Sequence, residues 1–256
     1  MKINIRGMYA RKCMQEKACR KKDKKETEIE KGRILSMAVV IEVSNITKKF
    51  GETTVLQNIN MQFREGRIYG IVGRNGSGKS VLFKIIVGFL RPSSGQVKVY
   101  GKEVGRDKDF ADEIGIIIEN PGFLNGYTGY KNLEYLAGIR KVVGKKEIRD
   151  SMERVGLNPD SRKKVGKYSL GMKQRLAIAQ AIMEDPKILI LDEPMNGLDD
   201  QGVEDIRKIL LQLKEEGKTI LLASHNREDI EILCDEVYEM KQGWLKKYKA
   251  DKGKDN

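Results

Sequence analysis

From Val39 the chain alternates apolar and polar residues: Val39, Ile41 and Val43, then Val55, Ile59, Met61 and Phe63, on either side of Lys-Lys-Phe-Gly-Glu. Residues two apart share one face of an extended chain, so this spacing predicts two antiparallel strands joined by a turn. Arg67 to Val72 reads as a short buried strand and Lys79 to Leu90 as a helix. Gln96 to Tyr100 alternates as a strand, and Ile114 to Ile118 is a continuous β-branched run that predicts a buried one. Between about Gly129 and Asp185 the period becomes helical, carried by Leu133, Leu136 and Ile139, by Ile148, Met152 and Val155, and by Leu176, Ala179, Ile182 and Met183. Strand and helix patterns alternate again at Lys187–Leu191, Val203–Leu213, Thr219–Ala223, Asn226–Leu233 and Glu236–Met240, with a final hairpin at Gly243-Trp-Leu-Lys. The expectation is an α/β fold with a mostly parallel sheet core, an N-terminal antiparallel β-subdomain and a helical insertion.

A length of 256 residues suits one such domain. Residues 1–37 are Lys/Glu-rich without a sustained apolar period, and are expected to be a basic, disordered extension. The domain is then 38–248, with a helical subdomain at about 129–185, and 249–256 form a basic tail. Of the net charge of +12, residues 1–36 contribute +7 (twelve Lys/Arg, five Asp/Glu) and residues 241–256 contribute +4 (six against two). The body between them is nearly balanced, so the basic ends are read as solvated tracts rather than a nucleic-acid surface. Cys13, Cys19 and Cys234 form no C-x-x-C pair, which favours a reducing compartment over a disulfide framework. No apolar run approaches the roughly 18 residues needed to cross a bilayer, so a membrane role would rest on another chain.

Gly73 to Ser80, GRNGSGKS, lies between the strand at 67–72 and the helix at 79–90. It fits G-x-x-x-x-G-K-[ST]: glycines let successive backbone N–H groups face one anion, Lys79 reaches the β- and γ-phosphates, and the Ser80 hydroxyl serves a magnesium ion. Asp192-Glu193 closes the apolar strand at 187–191. Phosphoryl transfer to water needs a carboxylate that organises the metal and a base for the attacking water, roles that suit Asp192 and Glu193 in turn. His225 is the only histidine and follows the next strand, where ligands collect at the carboxyl ends of an α/β sheet. Ser169 and Gly171 open a helix far from the first loop and are a second candidate anion site.

With these motifs in order, the chain from about Val39 to Tyr248 resembles the ATP-binding subunit of ABC transporters. Phe50 matches the aromatic that stacks on adenine, and GRNGSGKS the Walker A loop, so the resemblance implies ATP binding by Phe50, Gly73, Arg74, Asn75, Gly76, Ser77, Gly78, Lys79, Ser80 and Val81. YSLGMKQRL from Tyr168 stands at the family signature, ILILDEP from Ile188 at Walker B with Glu193 as base, NGLDD from Asn196 at the D-loop, and His225 at the switch histidine. In such proteins two nucleotide domains pack head to tail, which implies that Ser169, Gly171 and Asp199 act on nucleotide held by the other subunit. The metal set implied is Ser80, Glu119 and Asp192.

Two positions depart from the family pattern. The signature has Tyr168, Leu170 and Met172 where Leu, Gly and Gln are usual, and Glu119 replaces the Gln that links Mg²⁺ to the membrane subunit. Both departures resemble the bacitracin-resistance and lantibiotic-immunity exporters. The expected protein is therefore an ATPase on the cytoplasmic face of the membrane, paired with a second nucleotide subunit and with separate permease chains that dock on Asn120 to Tyr130. The alternatives are a soluble ABC ATPase acting on ribosomes or nucleic acid, and a P-loop kinase or GTPase. One domain, a short span from Ser80 to Ser169 and the lack of N-K-x-D count against them.

Overall fold

A computed structural model describes residues 38–119 and 122–248. The expected N-terminal extension and C-terminal tail, Cys13, Cys19, and the first two residues of the docking segment lie outside the described residues. Strands β1 (Val39–Phe50) and β2 (Thr53–Arg64) form a hairpin, with Ile41 opposite Phe63, Val43 opposite Met61 and Ile46 opposite Ile59. β1 runs through Lys48, Lys49 and Phe50, so the turn is shorter than the sequence suggested and only Gly51 and Glu52 remain outside the strands. β4 (Ser94–Val99) pairs antiparallel with β1, and β5 (Lys102–Glu103) with β4, giving a four-stranded antiparallel sheet ordered β2-β1-β4-β5.

The second sheet has six strands in the order β10-β9-β3-β8-β7-β6. These are β3 (Ile68–Val72), β6 (Ile114–Ile117), β7 (Ile188–Asp192), β8 (Thr219–Ala223), β9 (Glu236–Lys241) and β10 (Trp244–Tyr248). Every pairing is parallel except the terminal β9–β10 hairpin. The central strands are continuous apolar runs because both their faces are covered. Ile188, Ile190, Leu221 and Ala223 join a core with Ile41, Phe63, Tyr69 and Phe83, whereas Leu189, Leu191, Ile220 and Leu222 join one with Leu176, Ile206 and Leu210. Each such buried aliphatic side chain contributes roughly 1.5–3 kcal/mol of transfer free energy.

β6 corrects one expectation. It is the edge strand, bonded only to β7, and Ile114 and Ile116 stay half-buried. A β-branched run this short reads alike at the centre and at the border of a sheet. Helix α1 (Lys79–Val87) is also shorter than its pattern, closing at Gly88 with Leu90 N–H on the Lys84 carbonyl.

The helical stretch comprises α2 (Gly129–Arg140), α3 (Lys145–Arg154) and α4 (Leu170–Ile182). Thr128 caps α2 by accepting from Lys131 N–H, and buried Asn132 ties the preceding loop down through both Leu124 backbone groups. Ile148, Met152, Val155 and Leu176 turn inward as their spacing predicts, but Ile139 is 76% exposed, one residue before α2 ends. Helix α5 (Asp200–Glu215) lies between β7 and β8, and α6 (Arg227–Leu233) between β8 and β9. The consequence for chemistry is positional. β3, β8 and β7 are adjacent and parallel, so the loops leaving their carboxyl ends gather at one edge.

Candidate nucleotide site

The loop leaving β3 runs from Gly73 to Gly78 and delivers the chain into α1. A Cβ on Gly73 would lie 2.4 Å from the Met240 carbonyl oxygen, so this position has no room for a side chain. Gly78 adopts φ 110° at the helix N-cap, and a Cβ there would meet Leu56 Cδ2 at 2.8 Å. The sequence thus folds as a tight arch, closed by Ser77 N–H on the Arg74 carbonyl at 3.1 Å, at a helix N-terminus whose first turn carries no acid to repel an anion. Lys79, nearly buried, donates from Nζ to the carbonyls of Gly73 (2.7 Å) and Arg74 (3.3 Å), which fixes its ammonium inside the arch. Ser77 Oγ is buried without a hydrogen-bond partner in the arch, a polar atom that an anionic guest would satisfy.

Across from the arch, Asp192, the last residue of β7, brings its Oδ2 to 2.5 Å from Ser80 Oγ. Both are hard oxygen donors. Among the described residues no three His, Cys, Asp or Glu side chains cluster as a self-sufficient metal cage. A magnesium ion suits that poverty, because it keeps waters and takes phosphate oxygens alongside one or two protein oxygens. Glu119 lines the same cavity of about 470 Å³ as Ser80 and Asp192, yet its Oε1 accepts from Lys84 Nζ at 2.6 Å. The third expected metal oxygen is therefore held by a lysine one helical turn below Ser80.

Glu193 sits at φ +51°, a left-handed conformation that costs a non-glycine residue of order 1 kcal/mol or more. Its N–H donates to the Ala223 carbonyl at 2.9 Å, and its own carbonyl accepts from Asn196 N–H (3.1 Å) and Gln174 Nε2 (3.4 Å). Those bonds hold the strained turn and send the carboxylate toward the loop after β8. There His225 Nδ1 lies 2.8 Å from Glu193 Oε2, and His225 N–H approaches the same oxygen at 3.4 Å. An ionised carboxylate only accepts, so Nδ1 carries the proton of this contact and Nε2 faces outward on a largely exposed ring.

Phe50 ends β1 with its ring 49% exposed and Lys48 Nζ 4.8 Å from the ring centroid. It does not line the 470 Å³ cavity, and neither do Gly73 and Arg74, which border a neighbouring cavity of about 490 Å³ that shares Asn75, Gly76 and Ser77 with the first. Val81 lines the first cavity beside Lys79 and Ser80.

The second candidate anion site is a capped helix start. Ser169 Oγ accepts from Met172 N–H at 3.2 Å, and Asp199 Oδ1 caps α5 through Gly202 N–H at 2.9 Å. The unusual signature residues have places to go. Tyr168 is buried with its hydroxyl 2.8 Å from where a Gly129 Cβ would be, and burial pushes its phenol up. Leu170 rests on Gly197, whose Cβ would be 2.3 Å from Leu170 Cδ2, and the Gly171 Cβ position lies 3.3 Å from the Gly197 carbonyl. Signature and D-loop therefore interlock within one chain. Gln174 and Asn196 lie inside the signature and D-loop motifs without a role being read for either, and Lys84 lies in no motif; Gln174 and Lys84 meet partners 19 and 35 residues away.

A parallel sheet with a phosphate arch, a Ser–Asp oxygen pair and a Glu–His pair at the ends of adjacent strands defines a P-loop nucleotide hydrolase. The model of the ABC transporter family matches residues 56–196, and the chain belongs to that family as an ATP-binding ATPase subunit. It is 48% identical over 206 residues to an uncharacterized ABC transporter ATP-binding protein, YybJ of Bacillus subtilis, covering 80% of this chain and 94% of that one. It is 44% identical to the bacitracin transport ATP-binding protein BcrA of Enterococcus faecalis, covering 83% and 70%, and 36% identical to the lantibiotic transport ATP-binding protein SrtF of Streptococcus pyogenes, covering 85% and 93%. A dimeric, post-hydrolysis structure of the ATP-binding cassette MJ0796 with ADP and Pi superposes with TM-score 0.72 at 27% identity, covering 82% of this chain and 99% of that chain.

Proposed function

We propose that the chain powers export of a peptide antibiotic of the bacitracin or lantibiotic kind, working as a pair of nucleotide subunits beneath separate permease chains on the cytoplasmic face of the membrane. Kinship to BcrA and SrtF supports the cargo class, and the dimeric cassette supports the pairing. Among the described residues no helix is long and apolar enough to cross a membrane.

The observation that carries the mechanism is that the Ser80–Asp192 contact and Glu193 line one cavity, with His225 bonded to Glu193 from outside that lining. The arch from Gly73 to Gly78 binds the triphosphate through backbone donors, with Lys79 on its oxygens and Phe50 against the base. Mg²⁺, held by Ser80 and Asp192 with Glu119 near by, would neutralise phosphate charge. Glu193 takes the proton of the attacking water, and His225, anchored to it through Nδ1, turns Nε2 toward the terminal phosphate. Ser169 and Gly171 present the α4 N-terminus, and Asp199 the D-loop, to nucleotide on the partner. The test is resistance: cells expressing the chain with the membrane protein encoded beside it should tolerate severalfold more bacitracin or lantibiotic, and Glu193→Gln should abolish that gain. Unchanged sensitivity to every cell-wall-directed peptide, with both proteins present in the membrane fraction, would reject the export reading.

A further inference from the structure

His225 is exposed and sits on a loop, yet the residues on both sides of it are fixed from below. Ser224 is 3% exposed, and its Oγ does two things: it donates to Asp229 Oδ2 at 3.3 Å and accepts from Asn226 N–H at 3.1 Å. Asn226 in turn caps α6 through Glu228 N–H at 2.9 Å. The other oxygen of Asp229, a carboxylate only 2% exposed, receives two bonds from Arg207, from Nε at 2.9 Å and from an Nη at 2.7 Å. Arg207 projects from α5, is 5% exposed itself, and is also held by Glu204 (2.6 Å) and Glu228 (2.9 Å). Its hydrogen bonds to Glu228, then to Asp229 and Glu204, outweigh burial and keep the guanidinium charged.

This cluster is larger than a helix tie requires. An apolar contact between α5 and α6 would join the two helices without burying a guanidinium and a carboxylate, whose desolvation is costly unless every polar atom is satisfied. Here the carboxylate is satisfied on one side by Arg207 and on the other by the hydroxyl that precedes His225. The chain of bonds runs from α5, through α6, to Ser224 and Asn226, the two residues that flank His225.

We propose that Arg207, acting through Asp229 and Ser224, is the positioning residue for His225. It fixes the backbone of residues 224–226 so that the His225 ring and N–H both meet one oxygen of Glu193. This rests on the reading of His225 as a participant in hydrolysis, but its test is separable from that reading because His225 is the chain's only histidine. In the untagged full-length protein a ¹⁵N–¹H spectrum of the imidazole contains one ring. The wild type should show Nδ1 protonated, as the Glu193 contact requires. Ser224→Ala deletes one hydroxyl from the network and Arg207→Met removes its root; both should move the ring toward the mixed tautomer pattern of a free imidazole. Both should also lower kcat at least tenfold with KM for ATP within about twofold, and Arg207→Lys should recover part of each change. An imidazole spectrum identical to wild type in folded Ser224→Ala and Arg207→Met, whatever their melting temperatures, would overturn the proposal. Wild-type turnover by His225→Ala would instead reject the catalytic role of the histidine, leaving the spectral test of its placement intact.

Discussion

Gly73→Ala probes the arch where its packing is tightest. The new methyl would lie 2.4 Å from the Met240 carbonyl oxygen and 2.8 Å from Ser77 Oγ. Ordinary carbon–oxygen contact begins near 3.3 Å, so the loop or β9 must move by about 0.9 Å. β9 is anchored to both β3 and β10, which makes the arch the part that yields. Overpacking of this kind costs about 1–3 kcal/mol of stability. The larger effect falls on binding: a shift of about 0.9 Å takes amide hydrogen bonds of about 2.9 Å beyond their useful range. Urea unfolding followed by the fluorescence of Trp244 should show the stability loss, and titration with a fluorescent ATP analogue should show affinity falling more than tenfold. Stability within about 0.5 kcal/mol of wild type together with affinity within twofold would refute the argument that residue 73 must lack a side chain.

Four further outcomes follow from the same geometry. Glu193→Gln keeps the backbone bonds of its strained turn and should reduce steady-state turnover by about 10²–10⁴-fold with ATP affinity unchanged, as expected for loss of a general base; turnover within fivefold of wild type would exclude that role. Phe50→Ala should weaken ATP binding by about 1–3 kcal/mol in calorimetric titration, the worth of one stacked base, without changing the melting temperature. Burial pushes the Cys234 thiol up to about 12, so peptide mapping after iodoacetamide at pH 8 should find residue 234 unmodified in the folded chain and modified in urea. The same shift has a stability consequence. The folded state holds that proton where the unfolded thiol, with its ordinary value near 8.5, releases it, so this contribution to stability is present below about pH 8.5 and declines as pH rises above it.

What the sequence made legible was local. GRNGSGKS, the DE pair and His225 are each read from a strand exit, and the parallel order β3-β8-β7 brings those three exits together. The alternation that predicted β1 and β2 held because each hairpin strand buries one face. The apolar run at β6 misled because period and β-branching report burial of a strand, not its place in the sheet. Ile139 obeyed the helical period yet lies on the outer side of α2's last turn, where the pattern outlasts the contact. Lys84 and Arg207 were invisible for a different reason. Each acts through a partner 35 or 22 residues away, and nothing in a single sequence marks which acid a surface-spaced base will meet. Glu119 illustrates the limit: its departure from the family pattern was readable, but its pairing with Lys84 was not.

The sharpest single measurement is sedimentation velocity of Glu193→Gln with and without saturating ATP and magnesium. The account predicts a monomer alone and a dimer with nucleotide, reverting when Ser169 in the same chain is also changed to Arg. Monomers under every condition would contradict the claim that two copies close on ATP.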